Sequence, residues 1–156
     1  MIPGKELCPV NVISLLAPKA QVAYLYDDYT VRQGLEKLRS LGYTALPVLS
    51  RGGLYVGTVS EGDFLWSMLD KRDNSLLAQE KLPLVSVMRK GFNPAVSIRV
   101  TMEELLERAM RQSFIPVVDD RGAFVGIITR QAIMRRLAQP AAPRRLTAEP
   151  RETILA

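Results

Sequence analysis

Gly57, Ser60 and Asp63 form a polar segment at the point where a predicted strand gives way to a predicted helix. The first turn of a helix offers unpaired N–H groups and a partial positive charge, so it binds phosphate readily. Ser60 adds a hydroxyl donor there, and Asp63 can accept two hydrogen bonds from the vicinal hydroxyls of a ribose. Gly57 lets a ligand or a neighbouring backbone approach closely. These groups are therefore chemically able to hold a phosphorylated ribose.

The same segment also has a purely structural interpretation. Ser60 and Asp63 have the Ser-x-x-Asp spacing of a capping box, in which the third residue reaches back to the backbone at the helix start. An aspartate in the first turn stabilises a helix by roughly 0.3–1 kcal/mol. The two roles are compatible at Ser60 but compete for the carboxylate of Asp63, so both interpretations stay open.

The elements that must position this segment occur twice, because the chain contains two copies of one unit. Residues 46–49, Leu-Pro-Val-Leu, recur 69 positions later at 115–118 as Ile-Pro-Val-Val, and residues 55–60 recur at the same offset as 124–129. Upstream of these strands the offset is 71, so the second copy lacks two residues. An internal repeat of this kind indicates two similar structural units.

Each copy predicts the order β-α-β-β-α. The apolar runs 22–26 and 95–98 are typical of buried strands, and a helix follows each run. Pro47 and Pro116 cannot donate a ladder hydrogen bond, so we expect them at a strand start or on an edge strand. The other strands are expected at residues 46–49, 54–59, 115–118 and 123–128, each pair joined by a tight turn, with a final helix after Ser60 and after Thr129.

The first helix of each copy has a recognisable start. Thr30 with Gln33, and Thr101 with Glu104, have the spacing of capping boxes. Gly42 can end the helix of the first copy in a left-handed conformation. One unit of about 55 residues buries little surface alone, so we expect the two units to pair about a pseudo-two-fold axis and to leave a cleft between them.

With these motifs in register, residues 10–138 resemble a tandem pair of CBS domains, called a Bateman module. The resemblance implies that adenosine compounds bind in the cleft between the units. In that family the aspartate of the Gly-x-x-Ser/Thr-x-x-Asp segment holds the ribose hydroxyls and the Ser or Thr contacts phosphate. Gly57, Ser60 and Asp63 match completely, whereas the second copy has Thr129 but carries Ala132 in place of the aspartate. The resemblance therefore implies one good ribose site and one defective one.

Further candidate residues flank these segments. The resemblance places Thr44 and Ala45 against adenine, and the small side chain of Ala45 leaves room for a base. Arg130 can reach a phosphate bidentately or can be a solvated first-turn arginine. Lys90 has a possible phosphate role or is a loop charge. Thr129 is an N-cap candidate that can also contact phosphate.

Three aromatic residues are interpreted structurally. Tyr43 and Phe114 can contact adenine but are favoured as core residues. Trp66 belongs to an apolar helix face that is suited to unit pairing or dimerisation.

Composition narrows the chemistry. The 156 residues carry a net charge of +5, no histidine and one cysteine, Cys8, so zinc sites, Ser-His-Asp triads and Cys-His pairs are improbable and no enzymatic constellation can be named. Asp27 and Asp28 are interpreted as loop residues rather than metal ligands. The positive charge favours anionic partners, but no nucleic-acid recognition motif or basic-aromatic patch accompanies it. No apolar run is long enough to span a membrane.

The sequence thus predicts a mixed α/β (α+β) fold with a first unit at 1–84, a second at 85–138 and a flexible tail at 139–156. The predicted function is a cytoplasmic regulatory module, not an enzyme, that binds AMP, ADP, ATP or cyclic di-AMP as a regulatory ligand. We expect a homodimer that acts on a separate effector protein, with no other cofactor, no metal, no nucleic acid and no membrane. The alternative is a ligand-independent dimerisation module with a vestigial cleft.

Overall fold

A computed structural model of the chain describes residues 11–139. Cys8 and the predicted tail from residue 140 onward lie outside the described residues. The strands are β1 (Ala17–Pro18), β2 (Leu25–Tyr26), β3 (Ala45–Leu49), β4 (Tyr55–Ser60), β5 (Val96–Ser97), β6 (Phe114–Val118) and β7 (Phe124–Thr129). The α-helices are α1 (Val31–Leu41), α2 (Glu61–Asp70), α3 (Leu76–Lys81), α4 (Met102–Ala109) and α5 (Arg130–Ala138).

The strands form two sheets, and the predicted order of elements is confirmed in both units. One sheet has the order β2-β3-β4 and the other β1-β7-β6-β5. Within each unit the first strand runs parallel to the next and the last two form an antiparallel hairpin. The first strands are shorter than the predicted apolar runs, with two residues each. The fold is mixed α+β, as the sequence predicts.

The two hairpins contact each other symmetrically. The Tyr55 N–H donates to Gly122 O at 3.2 Å, and the Phe124 N–H donates to Gly53 O at 2.9 Å. Tyr55 and Phe124 are separated by 69 positions, as are Gly53 and Gly122, so the same bond is made twice with the repeats exchanged. This reciprocity defines the pseudo-two-fold axis between the units.

The N-terminal strand is not part of the first sheet. β1 pairs with β7, with Ala17 opposite Ile127 and Pro18 opposite Gly126. A Cβ atom at Gly126 would overlap the carbonyl oxygen of Ala17, so this strand pairing requires glycine. The sequence-based division assigns β1 to the first unit, but in the structure β1 completes the sheet of the second unit.

Each unit has its own apolar core. The first contains Leu25, Val31, Leu38, Leu46, Val48, Val59, Phe64 and Leu84. The second contains Val96, Val100, Leu105, Ala109, Ile115, Val117, Ile128 and Ile133, and residues before β1 pack against it. In β3, β4, β6 and β7 the alternate positions face away from these cores, so they point toward the space between the two units.

Most of the predicted helix signals are confirmed. The Thr30 hydroxyl accepts the Gln33 N–H, and the Gln33 side chain accepts the Thr30 N–H. Gly42 has a φ of 71° and ends α1. The second capping box is only half formed, because Thr101 accepts the Glu104 N–H while the Glu104 carboxylate accepts from Arg108, 3.5 Å away. An arginine one turn later offers that carboxylate a charged partner on the helix surface.

The placement predicted for the two prolines is wrong, since Pro47 and Pro116 lie in the central strands β3 and β6. The Glu61 N–H donates to Thr44 O at 2.9 Å, and hydrogen-bonded pairs alternate from that point. Pro47 therefore faces Thr58 in a non-hydrogen-bonded pair, with its nitrogen on the β2 side. The β2 ladder contacts β3 only beyond Pro47, so no ladder hydrogen bond is lost.

Candidate functional site

Two cavities lie between the units. The first has a volume of about 870 Å³ and the second about 310 Å³. Residues 92–94 and 112–114 line the first cavity, and residues 21–23 and 43–45, their counterparts in the other repeat, line the second. The two cavities are thus the same site, built once on each side of the pseudo-two-fold axis. They adjoin, because both are lined by Ala45, Ser113 and Phe114.

The predicted site residues are distributed between these cavities and their surroundings. Thr44, Ala45 and Thr129 line the second cavity. Ala45 and Arg130 line the first. Gly57 and Lys90 line a groove beside β4 that adjoins the first cavity at Phe92 and Pro94, and the Cβ position of Gly57 is closest to the Met88 side chain. Ser60 and Asp63 line neither cavity, so the predicted residues form two groups rather than one site.

The Asp63 side chain is fully buried and its oxygens accept from within the protein. Oδ2 accepts the Ser60 N–H at 2.8 Å and the Ser60 hydroxyl at 3.0 Å, which is the capping role. Oδ1 accepts from Arg89 Nε at 2.6 Å, and Arg89 Nη2 donates to Ser60 Oγ at 3.0 Å. The Arg89 guanidinium also lies 3.7 Å from the centre of the Phe92 ring. Asp63 and Ser60 are therefore bound to each other and to Arg89.

At the equivalent turn of the second repeat there is no carboxylate. Thr129 Oγ1 accepts the Ala132 N–H at 3.1 Å, so the threonine caps α5. A hydroxyl carries one donor and two acceptor positions, so this bond leaves the Thr129 O–H able to donate to a ligand. The sequence-based alternatives for Thr129, capping and phosphate contact, are therefore compatible.

Arg130 presents an unpaired buried donor. Its backbone N–H donates to Ser113 O at 2.9 Å, but the buried side-chain Nε has no hydrogen-bond partner among the described residues. A buried donor without an acceptor costs roughly 1–3 kcal/mol, so such groups are typical of binding sites. The first cavity also carries Glu104, Glu107, Arg108 and Arg111 along its rim. Arg130 is thus the predicted phosphate ligand with the strongest structural support.

A buried polar network forms one wall of the first cavity. The Tyr55 hydroxyl lies 2.8 Å from Thr58 Oγ1 and donates to Asn93 O at 2.7 Å. Asn93 Nδ2 donates to Thr58 Oγ1 at 3.2 Å, and Gln112 Nε2 donates to Asn93 Oδ1. Burial raises the pKa of the Tyr55 hydroxyl to about 12. Because these groups bond to one another, this wall is already satisfied without a ligand.

The second cavity differs in chemistry from its counterpart. No residue that lines it within 11–139 is charged, and its walls include Ala17, Val22, Ala23, Ala45, Pro47, Phe114 and Ile127. Hydroxyl and amide groups lie among them at Gln21, Thr44, Ser113 and Thr129. An apolar slot with a few polar groups suits a flat heteroaromatic base. Phe114 and Tyr43 both line this cavity, and Tyr43 is 53% exposed, so the core interpretation of Tyr43 is wrong.

Sequence reasoning assigned no role to Arg89 and missed Phe92, Asn93 and Gln112. One signal was available, because the repeat offset pairs Arg89 with Pro18 and Asp63 with Ala132. Two charged residues that are absent together from the other repeat indicate a contact between them. The distance of 26 positions between Arg89 and Asp63 hides this contact from local motif analysis.

Two other interpretations concern metals and membranes. Asp28 accepts two hydrogen bonds from Arg51, at 2.8 and 3.0 Å, and these hold the pKa of that carboxyl below its usual value. Within residues 11–139, no group of three or more potential protein ligands gathers around a metal position. No helix in the same range has the length and apolar character needed to cross a bilayer.

Comparison with known proteins places these features in context. The chain matches the family described as CBS domain over residues 13–70 and again over 84–139. It is similar to a CBS domain protein from Streptococcus pneumoniae TIGR4, at 29% identity and a TM-score of 0.74, over 80% of this chain and 84% of that chain. A search of curated proteins finds no match.

Two further similar structures contain nucleotides. The Listeria monocytogenes CbpB protein in complex with c-di-AMP is 22% identical, with a TM-score of 0.73, over 81% of this chain and 94% of that chain. The protein CBSX2 in complex with AMP is 24% identical, with a TM-score of 0.65, over 81% of this chain and 95% of that chain. At these identities the likeness concerns the fold alone.

Proposed function

The chain belongs to the CBS domain family, with one domain in each repeat, and from this premise we propose that it is a regulatory module that binds an adenine nucleotide with the base in its second cavity. The observation that carries the proposal is that Thr44, Ala45 and Thr129 meet in one uncharged slot. Its volume of about 310 Å³ lies at the lower end of the range for small-molecule sites, which suits a single nucleoside.

The phosphates have partners next to this slot. Thr129 stands at the start of α5, where the N–H groups and the helix dipole attract anions. Arg130 follows directly, and its buried Nε is without an acceptor among residues 11–139. Arg130 lines the first cavity, which adjoins the second at Ser113 and Phe114. A nucleotide whose base fills the second cavity can therefore extend its phosphates past Thr129 toward Arg130.

The chemistry of the ribose narrows the choice among AMP, ADP, ATP and cyclic di-AMP. A free 2′,3′-diol is best recognised by a carboxylate, and the repeat that contributes Thr129 to the second cavity has Ala132 at the aspartate position of the motif. A 3′,5′-cyclic dinucleotide has its 3′ oxygen esterified and places a phosphate there instead, which a carboxylate would repel. Ala132 beside Arg130 therefore favours cyclic di-AMP. The complexes of CbpB with c-di-AMP and of CBSX2 with AMP support the nucleotide class.

Isothermal titration with AMP, ATP and cyclic di-AMP tests this proposal. The wild-type chain is expected to bind at least one of them, and Thr44→Phe, which fills the slot from an exposed position, is expected to weaken binding tenfold or more, about 1.4 kcal/mol. Ser40→Phe adds the same ring at an exposed position outside both cavities and should bind like the wild type. No heat from any ligand, or equal affinities for the two variants, would refute the proposed site.

Exposed apolar side chains on α2 and α5 support the alternative function, a dimerisation module. Leu65, Trp66 and Leu69 on α2 are 53, 61 and 68% exposed. Met134 and Leu137 on α5 are also exposed, at 63 and 58%. Aromatic and aliphatic side chains of this size are typical of protein–protein contacts.

A second copy of the chain is the proposed partner for these helices, which then act together on a separate effector protein. α2 carries Glu61 and Asp70, whereas α5 carries Arg135 and Arg136 in its last turn. Packing α2 of one copy on α5 of the other joins opposite charges around the apolar side chains. Sedimentation equilibrium should give a dimer for the wild type and a monomer for Trp66→Glu. A monomeric wild type at micromolar concentration would exclude this assembly.

A further inference from the structure

Arg89 and Asp63 form an ion pair, and both of its members are absent from the positions that the pseudo-two-fold axis relates to them. Residues before α1 correspond to residues before α4 at an offset of 71, as the matching positions of β2 and β5 show, so Pro18 is the counterpart of Arg89. At the offset of 69 in the strands and last helices, Ala132 is the counterpart of Asp63. The motif's ribose position in the first repeat therefore carries a charged pair, whereas the equivalent position in the second repeat has two residues without charge.

The joint replacement has a physical reason. Removing only the arginine leaves a buried carboxylate without its counter-ion, and removing only the aspartate leaves a guanidinium without its acceptor. Proline and alanine at the related positions avoid both states. The pair is thus a unit, and its presence on one side of the axis only makes the two ribose positions of the motif chemically different.

Asp63 is occupied at both oxygens. Oδ2 accepts two hydrogen bonds from Ser60, and Oδ1 accepts the 2.6 Å bond from Arg89. The Arg89 side chain remains 53% exposed and stacks on Phe92, which lines the first cavity. The guanidinium therefore lies between the buried carboxylate and the outside of the protein, and it would have to leave before Asp63 could accept a ribose diol.

We infer that Arg89 is a specificity-determining residue: by occupying Asp63 it keeps a ribose diol away from that carboxylate, so that the module takes one nucleotide per chain, in the second cavity. This inference rests on the proposed function for the site of the single nucleotide. It also reverses the expectation from the motif, in which the repeat with the aspartate provides the good ribose site. The motif that contains Asp63 is complete, but the Asp63 carboxylate is already hydrogen-bonded to Ser60 and Arg89.

Titration with AMP and with its 2′,3′-dideoxy analogue tests the inference through stoichiometry. The wild-type chain should bind one equivalent of AMP. Arg89→Ala should bind a second equivalent, because the freed carboxylate accepts the diol, and this second equivalent should be absent with the dideoxy analogue. The Asp63→Ala/Arg89→Ala double variant should return to one equivalent. Arg89→Met, which keeps an apolar stem over Phe92, replaces Arg89→Ala if the latter does not fold.

Each outcome decides between the two proposals. Two equivalents in the wild type, or one in both arginine variants, would overturn the inference about Arg89. A wild type that binds neither AMP nor cyclic di-AMP, while Arg89→Ala binds one diol-dependent equivalent of AMP, would uphold Arg89 as the barrier and refute the second cavity as the site. Binding of the second equivalent with equal affinity for the dideoxy analogue would show that Asp63 does not hold ribose.

Discussion

The ring of Tyr55 stacks on the ring of Phe124, with centroids 6.2 Å apart and an interplanar angle of 21°. The two residues are the same position in the two repeats, so they meet on the pseudo-two-fold axis itself. Only the tyrosine has a hydroxyl, and that group enters the buried network with Thr58 and Asn93. The ring on one side of the axis, that of Phe124, is therefore apolar, whereas the ring on the other side, that of Tyr55, makes hydrogen bonds.

Tyr55→Phe should reveal this asymmetry in alkaline solution. Burial raises the folded-state pKa of Tyr55 to about 12, above the ordinary value of 10, so the neutral form contributes stability below pH 10 that is lost between pH 10 and 12. The loss amounts to about 2–3 kcal/mol, at 1.36 kcal/mol per pKa unit. The variant lacks this dependence but should be about 1–2 kcal/mol less stable at pH 8, because it lacks two hydrogen bonds.

Urea unfolding at pH 8 and pH 11 measures the difference. The gap between wild type and variant should narrow at pH 11. Tyr43→Phe, at a half-exposed position, is the control and should leave the free energy of unfolding unchanged at both values. A constant gap between wild type and Tyr55→Phe would mean that the hydroxyl titrates normally.

The Arg89–Asp63 pair should show a favourable coupling energy. Because Arg89 is half exposed, solvent screening reduces the interaction, and we expect about 1–2 kcal/mol from a double-mutant cycle of Arg89→Ala and Asp63→Ala. Thermal or urea unfolding of the four proteins provides the values. Additive effects would indicate that the contact contributes nothing beyond the capping of α2 by Asp63.

Gly126→Ala and Gly57→Ala form a matched pair at equivalent positions of the two hairpins. A methyl group at Gly126 would overlap the backbone of Ala17, whereas at Gly57 it would meet only the flexible end of the Met88 side chain. We expect Gly126→Ala to cost roughly 1–3 kcal/mol by forcing β1 from β7, and Gly57→Ala to cost less. Urea unfolding checks the order of the two variants, and equal losses would contradict the pairing of β1.

Arg130→Met should separate binding from stability. The substitution removes a buried donor that lacks an acceptor, so the free energy of unfolding should stay the same or rise. Nucleotide affinity should fall about tenfold, or 1.4 kcal/mol, because a charged phosphate contact is lost. Arg136→Met, at an exposed position late in α5, is the control. Unchanged affinity in Arg130→Met would remove this residue from the site.

Local sequence signals predicted the elements well because the residues concerned act on their own backbone. Thr30 and Gln33 satisfy each other within one turn, and Gly42 ends α1 by its own conformation. The predicted capping box at Thr101 is only half formed for a different reason. Arg108, one turn later in α4, donates to the Glu104 carboxylate and competes with the Thr101 N–H for it. A capping signal is reliable only where no stronger partner lies within reach.

The candidate site could be predicted only in part, because its geometry depends on contacts between distant residues. The resemblance indicated Thr44, Ala45 and Thr129, and the fold brings these three together. It also indicated Asp63, but the occupant of that carboxylate comes from a segment 26 positions away. A sequence motif indicates which side chains are able to bind a ligand. It does not show which of them already have hydrogen-bond partners within the protein.

The pairing of β1 with β7 affects how the chain can be divided. A fragment of residues 85–138 would leave the outer edge of β7 unpaired around Gly126, and exposed strand edges recruit other strands. A break in the polar connection between α2 and α3 would instead leave β1 attached to the half that does not contain its sheet, so the two pieces would stay associated by strand complementation. The second unit thus obtains its outer strand from the first half of the chain, an arrangement analogous to strand complementation between separate subunits.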